Sequence, residues 1–400
     1  MPAALTPSPT VTALDQFLVT NVELATPFLV MDLDIVREQY ERLRAALPET
    51  AVFYAVKANP APQVLRVLIE AGCSFDVASP GEVELCLGLG ADPARLSYGN
   101  TVKKERDVAA AHRHGVRRFT VDSEPELDKI VRTVSRAHPA DASTVFVRIS
   151  TNGSGADWPL SRKFGCSPAE AGPMPRRAAR AGLQIGVSFH VGSQQRNPHA
   201  WHAPIAEVAR LADALAADGH QLAGLNLGGG LPSRHLEPAP DIAVYGTAIR
   251  DAIATHLPGF AGMTMVEPGR YLVGDAGVIR AEVVQIIRRS GDPQTRWVFL
   301  DIGLFNGLTE TLDEAIRYRL RCRGNHDRTG PVVLAGPSCD SADVLYESHR
   351  YQLPLDLEVG DHIDILGTGA YTCSYSSVGF NGFPPLPDYY VPAALGTRPR

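Results

Sequence analysis

The sequence predicts a closed (β/α)8 barrel over residues 29–273, followed by a mostly β domain made of residues 274–400 with residues 1–28 added to it. Three observations lead there. Between residues 28 and 273, short apolar runs alternate with longer segments of helical periodicity, the pattern of a parallel sheet with right-handed crossovers. Eight such runs in a chain of 400 residues fit a closed barrel more economically than an open doubly wound sheet. After residue 275 the helical segments become few while Gly and Pro remain frequent, as antiparallel strands and turns require.

Taken in order, the candidate barrel strands are 51–56, 74–78, 96–98, 118–121, 145–149, 185–190, 225–227 and 263–266. Most are near-continuous apolar runs, which suits strands buried on both faces. Helix-like stretches lie between them, among them 35–47, 63–71, 124–137 and 202–217, and Pro80 and Ser123 stand where helices would begin. In the second domain, 278–287, 297–300, 332–335 and 362–366 read as strands. Residues 1–28 hold too little apolar sequence to fold alone and are expected to add a strand there.

Composition narrows the function classes. The chain is 44% apolar and 20% charged, with a formal net charge of −6, which offers no basic field for nucleic acid or an anionic membrane. No run of 18 apolar residues exists, and the first residues lack the basic-then-apolar pattern of a secretory signal. The cysteines at 73, 86, 166, 322, 339 and 373 are scattered, with no C-x-x-C pair. A reduced, cytoplasmic protein without a metal site is expected.

The candidate chemistry lies at strand ends. The apolar run 52–56 ends in Lys57, at the rim where barrels carry their catalytic groups. On pattern alone Lys57 is either a snorkelling loop lysine or a catalytic amine. Asp76, Arg148, His190, Gly228, Gly229, Gly230 and Glu267 end other strands in the same way and would converge on one rim in a barrel. The triple glycine after the seventh strand is either a plain turn or a phosphate cradle of bare N–H groups. Glu267 and Arg270 stand three residues apart, and the planar fork of Arg270 suits a phosphate or an ion pair with Glu267. In the second domain, Cys339-Asp340 and Gly369-Ala370-Tyr371 each follow an apolar strand, and composition alone assigns them no chemistry.

Together these motifs resemble the fold-type III (alanine racemase-like) pyridoxal-phosphate decarboxylases, and most closely the ornithine decarboxylases. The resemblance runs from Phe53-Tyr54-Ala55-Val56-Lys57-Ala58-Asn59 through Phe75-Asp76-Val77-Ala78-Ser79, Phe189-His190-Val191-Gly192-Ser193, the triple glycine, Glu267-Pro268-Gly269-Arg270, Cys339-Asp340 and Gly369-Ala370-Tyr371-Thr372 to Phe380-Asn381-Gly382-Phe383. It implies pyridoxal 5'-phosphate as cofactor and a head-to-tail homodimer whose active sites form at the interface. By the same resemblance Lys57 condenses with the cofactor aldehyde, and Ser193, Gly228, Gly229, Gly230, Arg270 and Tyr371 hold its phosphate. His190 stacks on the pyridine ring, while Asp76, Glu82 and Arg148 line the cleft.

The family chemistry assigns further roles. Glu267 would keep the pyridine nitrogen protonated, where alanine racemases carry an arginine. Cys339, from the partner, would return a proton to Cα. Asp340 would accept the distal ammonium of a small amino-acid substrate, with a second acid at Glu314 or the adjacent Asp313. Glu314 in place of the family aspartate leaves substrate length open, and Gln194 after Ser193 is a departure that resembles diaminopimelate decarboxylases as much as ornithine ones. The implied reaction is L-ornithine to putrescine, in polyamine biosynthesis. The alternatives are a decarboxylase for lysine or another diamino acid, diaminopimelate included, and a non-catalytic protein like the antizyme inhibitors. Retention of Lys57, Glu267, Arg270, Cys339 and Tyr371 argues against the last.

Overall fold

Eight parallel strands close into a barrel in the computed structural model, which describes residues 12–134, 143–158, 160, 162–324 and 327–391. They are Thr50–Ala55, Ser74–Val77, Leu96–Tyr98, Arg118–Val121, Thr144–Arg148, Gln184–Ser188, Gly224–Asn226 and Met263–Val266. Each pairs with the next in chain order, and the last returns to the first with Met265 opposite Ala51. All eight lie within two residues of the runs marked in the sequence.

Side chains alternate along each strand, so residues two apart share a face. Phe53, Phe146 and Met265 form a small apolar cluster of their own. Gly186 and Gly224 pack on the Phe146 ring, where a Cβ would come within 2.4 and 2.8 Å. One step further toward the carboxyl ends, the same faces carry Ala55, Arg148 and Glu267. The floor is thus apolar and the rim above it polar.

The outer layer is helical. Leu33–Ala46 is capped by Asp32, whose carboxylate accepts the N–H groups of Asp34 and Ile35, and it buries Val36, Tyr40 and Leu43 at helical spacing. Pro80–Gly88 begins with proline after Ser79, which caps the N–H of Glu82. No helix of the described residues is long and apolar enough to cross a membrane.

The second domain is an eight-stranded sheet. Its order runs Arg319–Cys322, His362–Leu366, Gly277–Arg289, Asp292–Leu300, Thr329–Ala335 and Val344–Pro354. Phe28–Asp32 pairs antiparallel with Gly277–Arg289, and Asp388–Val391 lies parallel beside it. The expectation for residues 1–28 needs correction. Their described part forms the helix Ala13–Thr20, and the added strand begins only at Phe28 and crosses the expected boundary. Phe28-Leu29-Val30-Met31 is wholly buried because strands flank it on both sides. Within this sheet Arg280 and Asp364 form a buried ion pair at 2.9 Å, and Arg280 also donates to the carbonyl of Leu18 at 2.6 Å, tying the first helix down.

Candidate active site

Lys57 sits in the single turn Val56–Ala58 that follows the first barrel strand. The second domain holds this turn in place. Tyr371 N–H donates to the Ala58 carbonyl at 2.8 Å, Ser374 Oγ donates to the Lys57 carbonyl at 3.0 Å, and Asn59 Nδ2 donates to the Gly369 carbonyl at 3.0 Å. The amine therefore lies where the two domains meet, at the mouth of a cavity of about 300 Å³.

Asp76 lies 3.4 Å from the Lys57 amine. Half of the Lys57 side-chain surface, 53%, is open, and it opens into this cavity. Desolvation there disfavours the ammonium, but the negative charge of Asp76, with Tyr371, Glu267 and Glu82 behind it, outweighs that and holds the pKa above the ordinary lysine value. Burial lifts the Asp76 carboxyl above its usual range against the opposing pull of Lys57 and Arg148. Gly99 packs against this carboxylate, and a Cβ there would fall 2.1 Å from Oδ1.

His190 and Arg148 also line the cavity. Burial, with the positive charges of Arg148 and Lys57, pushes His190 far below the usual histidine value, so its ring is neutral. Its Nδ1 accepts the N–H of Gly192 at 3.0 Å, which places the proton on Nε2. Glu267 faces in from the eighth strand. Burial and the Asp76 charge push it up to about 7, opposed by a 2.6 Å hydrogen bond from Asn226 and by Lys57 and Arg148.

The other end of the cavity is a backbone cradle. Gly228 and Gly230 have φ of 66° and 108°, and a Cβ on them would meet the carbonyl oxygens of Phe189 and Gly192 at 2.1 and 2.4 Å. A Cβ on Gly229 would meet the Glu267 carbonyl oxygen at 2.7 Å. Arg270 is 3% exposed, reaches Ser193 Oγ at 3.3 Å and lies 5.0 Å from the Tyr371 ring centroid. Ser193 is fixed through its neighbour. Gln194, at φ 54°, exchanges two hydrogen bonds with the Ser233 backbone, at 2.8 and 3.1 Å.

The glycine cradle with Arg270 suits a phosphate, the carboxylate of Glu267 suits a protonated ring nitrogen, the neutral imidazole of His190 suits an aromatic face, and the amine of Lys57 suits an aldehyde. The residues present therefore suit pyridoxal phosphate.

The structure brings Lys57, Asp76, Arg148, His190, Ser193, Gly229, Gly230, Glu267, Arg270 and Tyr371 together around one cavity, with Gly228 in its wall. Glu82 stands one step back, where its carboxylate accepts the Ala78 N–H at 2.6 Å. The acids expected to grip the substrate are elsewhere. Glu314 accepts three backbone N–H groups, from Glu347, Ser348 and His349 at 2.8, 2.6 and 2.9 Å, which outweigh burial and hold it below its usual range. That engagement corrects its expected place at the substrate. Asp313 shares the left-handed kink, at φ 54°, and lines a separate cleft beside Glu314. Cys339 and Asp340 sit in an exposed turn, with the Cys339 N–H on Asn381 Oδ1 at 2.9 Å, and neither lines the cavity.

Two residues that sequence reasoning missed take part. Glu310 forms a two-pronged ion pair with Arg270 at 2.7 and 2.5 Å, both partners buried. It lies four residues before Glu314, yet it serves the cradle. Asn226 is the other.

Comparison with known proteins agrees with this geometry. Residues 33–274 match the family model described as "Pyridoxal-dependent decarboxylase, pyridoxal binding domain". The chain is 38% identical over 362 residues to a lysine/ornithine decarboxylase of Selenomonas ruminantium, covering 90% of this chain and 88% of that one. Among solved structures, SrLDC in complex with PLP and cadaverine superposes with a TM-score of 0.82 at 34% identity, covering 95% and 94% of the two chains. The arginine decarboxylase of Paramecium bursaria Chlorella virus superposes with a TM-score of 0.84 at 28% identity, covering 94% and 99%. A barrel with an amine at its rim, a glycine cradle and a following β domain defines the fold-type III pyridoxal-phosphate enzymes. Within that class, the chain belongs to the pyridoxal-dependent decarboxylases of the ornithine, lysine and arginine family, and its cofactor is pyridoxal phosphate.

Proposed function

We propose that this enzyme decarboxylates L-ornithine to putrescine, at a site that each subunit completes for the other. The observation that carries the proposal is the supply of acids. The carboxylates lining the cavity are Asp76, paired with Lys57, and Glu267, bonded to Asn226. Among the described residues of one protomer, no further acid faces the cavity to meet a distal ammonium. The exposed Cys339-Asp340 turn is the one the family brings across a dimer interface, and it offers both a thiol and a carboxylate.

When bound, the cofactor supplies the electron sink that takes up the charge left at Cα as carbon dioxide departs. The chain does the rest. Lys57 would hold the cofactor through its amine. Ser193, Gly228, Gly229, Gly230, Arg270 and Tyr371 would hold the phosphate, and the neutral ring of His190 would pack on the cofactor ring without adding charge. Glu267 keeps the ring nitrogen protonated. Cys339 of the partner subunit delivers the proton to Cα from one side, and Asp340 of the partner subunit accepts the distal ammonium.

One observation favours a second substrate. With Glu314 engaged by strand Val344–Pro354, a single acid sets substrate length, and lysine, longer by one methylene, fits the same scheme. Ornithine, lysine, arginine and diaminopimelate, assayed in parallel for their products, test this. Putrescine should form fastest and cadaverine next. Product from diaminopimelate alone would remove Asp340 from its role.

A further inference from the structure

Behind the cavity wall, two residues before the glycine run, Asn226 ends the strand Gly224–Asn226 and is 1% exposed. Its Oδ1 accepts the N–H of Gly228 at 2.9 Å, and its Nδ2 donates to Glu267 Oε1 at 2.6 Å. The Glu267 N–H in turn donates to the Gly228 carbonyl at 2.8 Å. These three hydrogen bonds close a ring joining the glycine turn at one end of the cavity to the carboxylate at the other.

The ring fixes the amide. Only an oxygen can accept from the Gly228 N–H, so the NH2 group is turned onto Glu267. Among the described residues, Asn226 makes the side-chain hydrogen bond to this carboxylate, at Oε1, and none reaches Oε2. We propose that Asn226 is a positioning residue for Glu267: its amide engages Oε1, favours the ionised acid, and leaves Oε2 for the protonated ring nitrogen of the cofactor. The inference rests on the assignment of Glu267 to that nitrogen. Burial and Asp76 raise Glu267 to about 7, and the Asn226 amide is the hydrogen bond that opposes them. Without it, the acid would hold its proton to higher pH.

Asn226→Asp separates this role from simple support of the turn. The aspartate keeps an acceptor for Gly228, loses the donor, and places a second acid against Oε1. Two acids so close share a proton and titrate late. Infrared difference spectra of the cofactor-free protein, with matching Glu267→Gln proteins marking the band, give the carboxyl midpoint. It should rise by about one pH unit or more, and the pH dependence of kcat/KM should move with it. Asn226→Ser, too short to reach either partner, should raise the midpoint as well and serves if the aspartate variant folds poorly. A midpoint equal to wild type in either folded variant overturns the proposal. If the midpoint moves while cofactor absorbance and turnover keep their wild-type pH dependence, the assignment of Glu267 to the ring nitrogen falls. Control of the carboxylate by Asn226 would then stand.

Discussion

Burial works against the ammonium of Lys57, and the negative charge of Asp76 at 3.4 Å is the largest influence that favours it. A lysine nitrogen must be unprotonated to attack an aldehyde. If Lys57 is the amine that takes the cofactor, the ion pair holds it unreactive at rest and slows capture. In Asp76→Asn the largest of the charges holding the pKa up is gone, and the lysine pKa falls. Near neutral pH the fraction of free amine then rises about tenfold for each unit of fall. At saturating cofactor, stopped-flow absorbance of the Asp76→Asn apoprotein should show faster capture than wild type, with the two rates converging at high pH. Capture no faster than wild type would show that Asp76 does not govern this amine. The residue pattern showed that Lys57 and Asp76 share a rim, because both end barrel strands. It showed neither Asn226 as the group behind Glu267 nor Glu310 as the partner of Arg270. Those pairings join residues 41 and 40 positions apart, and only the folded chain brings them within reach.

Strands and turns differ in how much of themselves the sequence displays. The eight barrel strands were legible because both their faces are buried and they read as short apolar runs. The three strands missed in the second domain, Arg319–Cys322, Val344–Pro354 and Asp388–Val391, all lie at sheet edges. Edge strands carry charge and polarity that blunt further pairing, and Val344–Pro354 holds Glu347, Ser348, His349 and Arg350 in sequence. Glycine turns are legible as turns but not as binding sites. Gly228 and Gly219 illustrate the difference, since both have positive φ, 66° and 79°. A methyl group on Gly219 meets nothing within 4 Å, so Gly219→Ala adds backbone strain alone, about 1 kcal/mol. On Gly228 it adds the clash with the Phe189 carbonyl, which displaces the cradle and raises the cost to about 2–4 kcal/mol. Equilibrium titration with pyridoxal phosphate should show affinity lowered at least about tenfold in Gly228→Ala and unchanged in Gly219→Ala. Wild-type affinity in Gly228→Ala would mean that the phosphate is held elsewhere.

At the scale of the whole molecule, the two domains meet around the cavity that suits the cofactor, and under the proposed function a second copy completes the site for substrate. The second domain presses Tyr371 and Ser374 onto the Lys57 turn, while its Cys339-Asp340 turn is exposed and lies outside the cavity. If a second copy supplies that turn, the two contributions to a site come from different chains and can be broken separately. Lys57→Ala removes the amine and nearly all turnover. Cys339→Ala should leave cofactor binding intact but, if the thiol is the proton donor, slow turnover and send part of the product to an aldehyde. Co-expression of the two variants with different tags, followed by purification through both, isolates dimers carrying one copy of each. In such a dimer one site has lost both groups, and the other pairs a native Lys57 with a native Cys339. That second site should turn over normally, so the mixed dimer should show about half the wild-type activity per dimer. Its product should be the diamine, with little aldehyde. Activity no greater than the mean of the two parent variants, or failure to recover any doubly tagged species, would place both groups in one chain and remove the shared site.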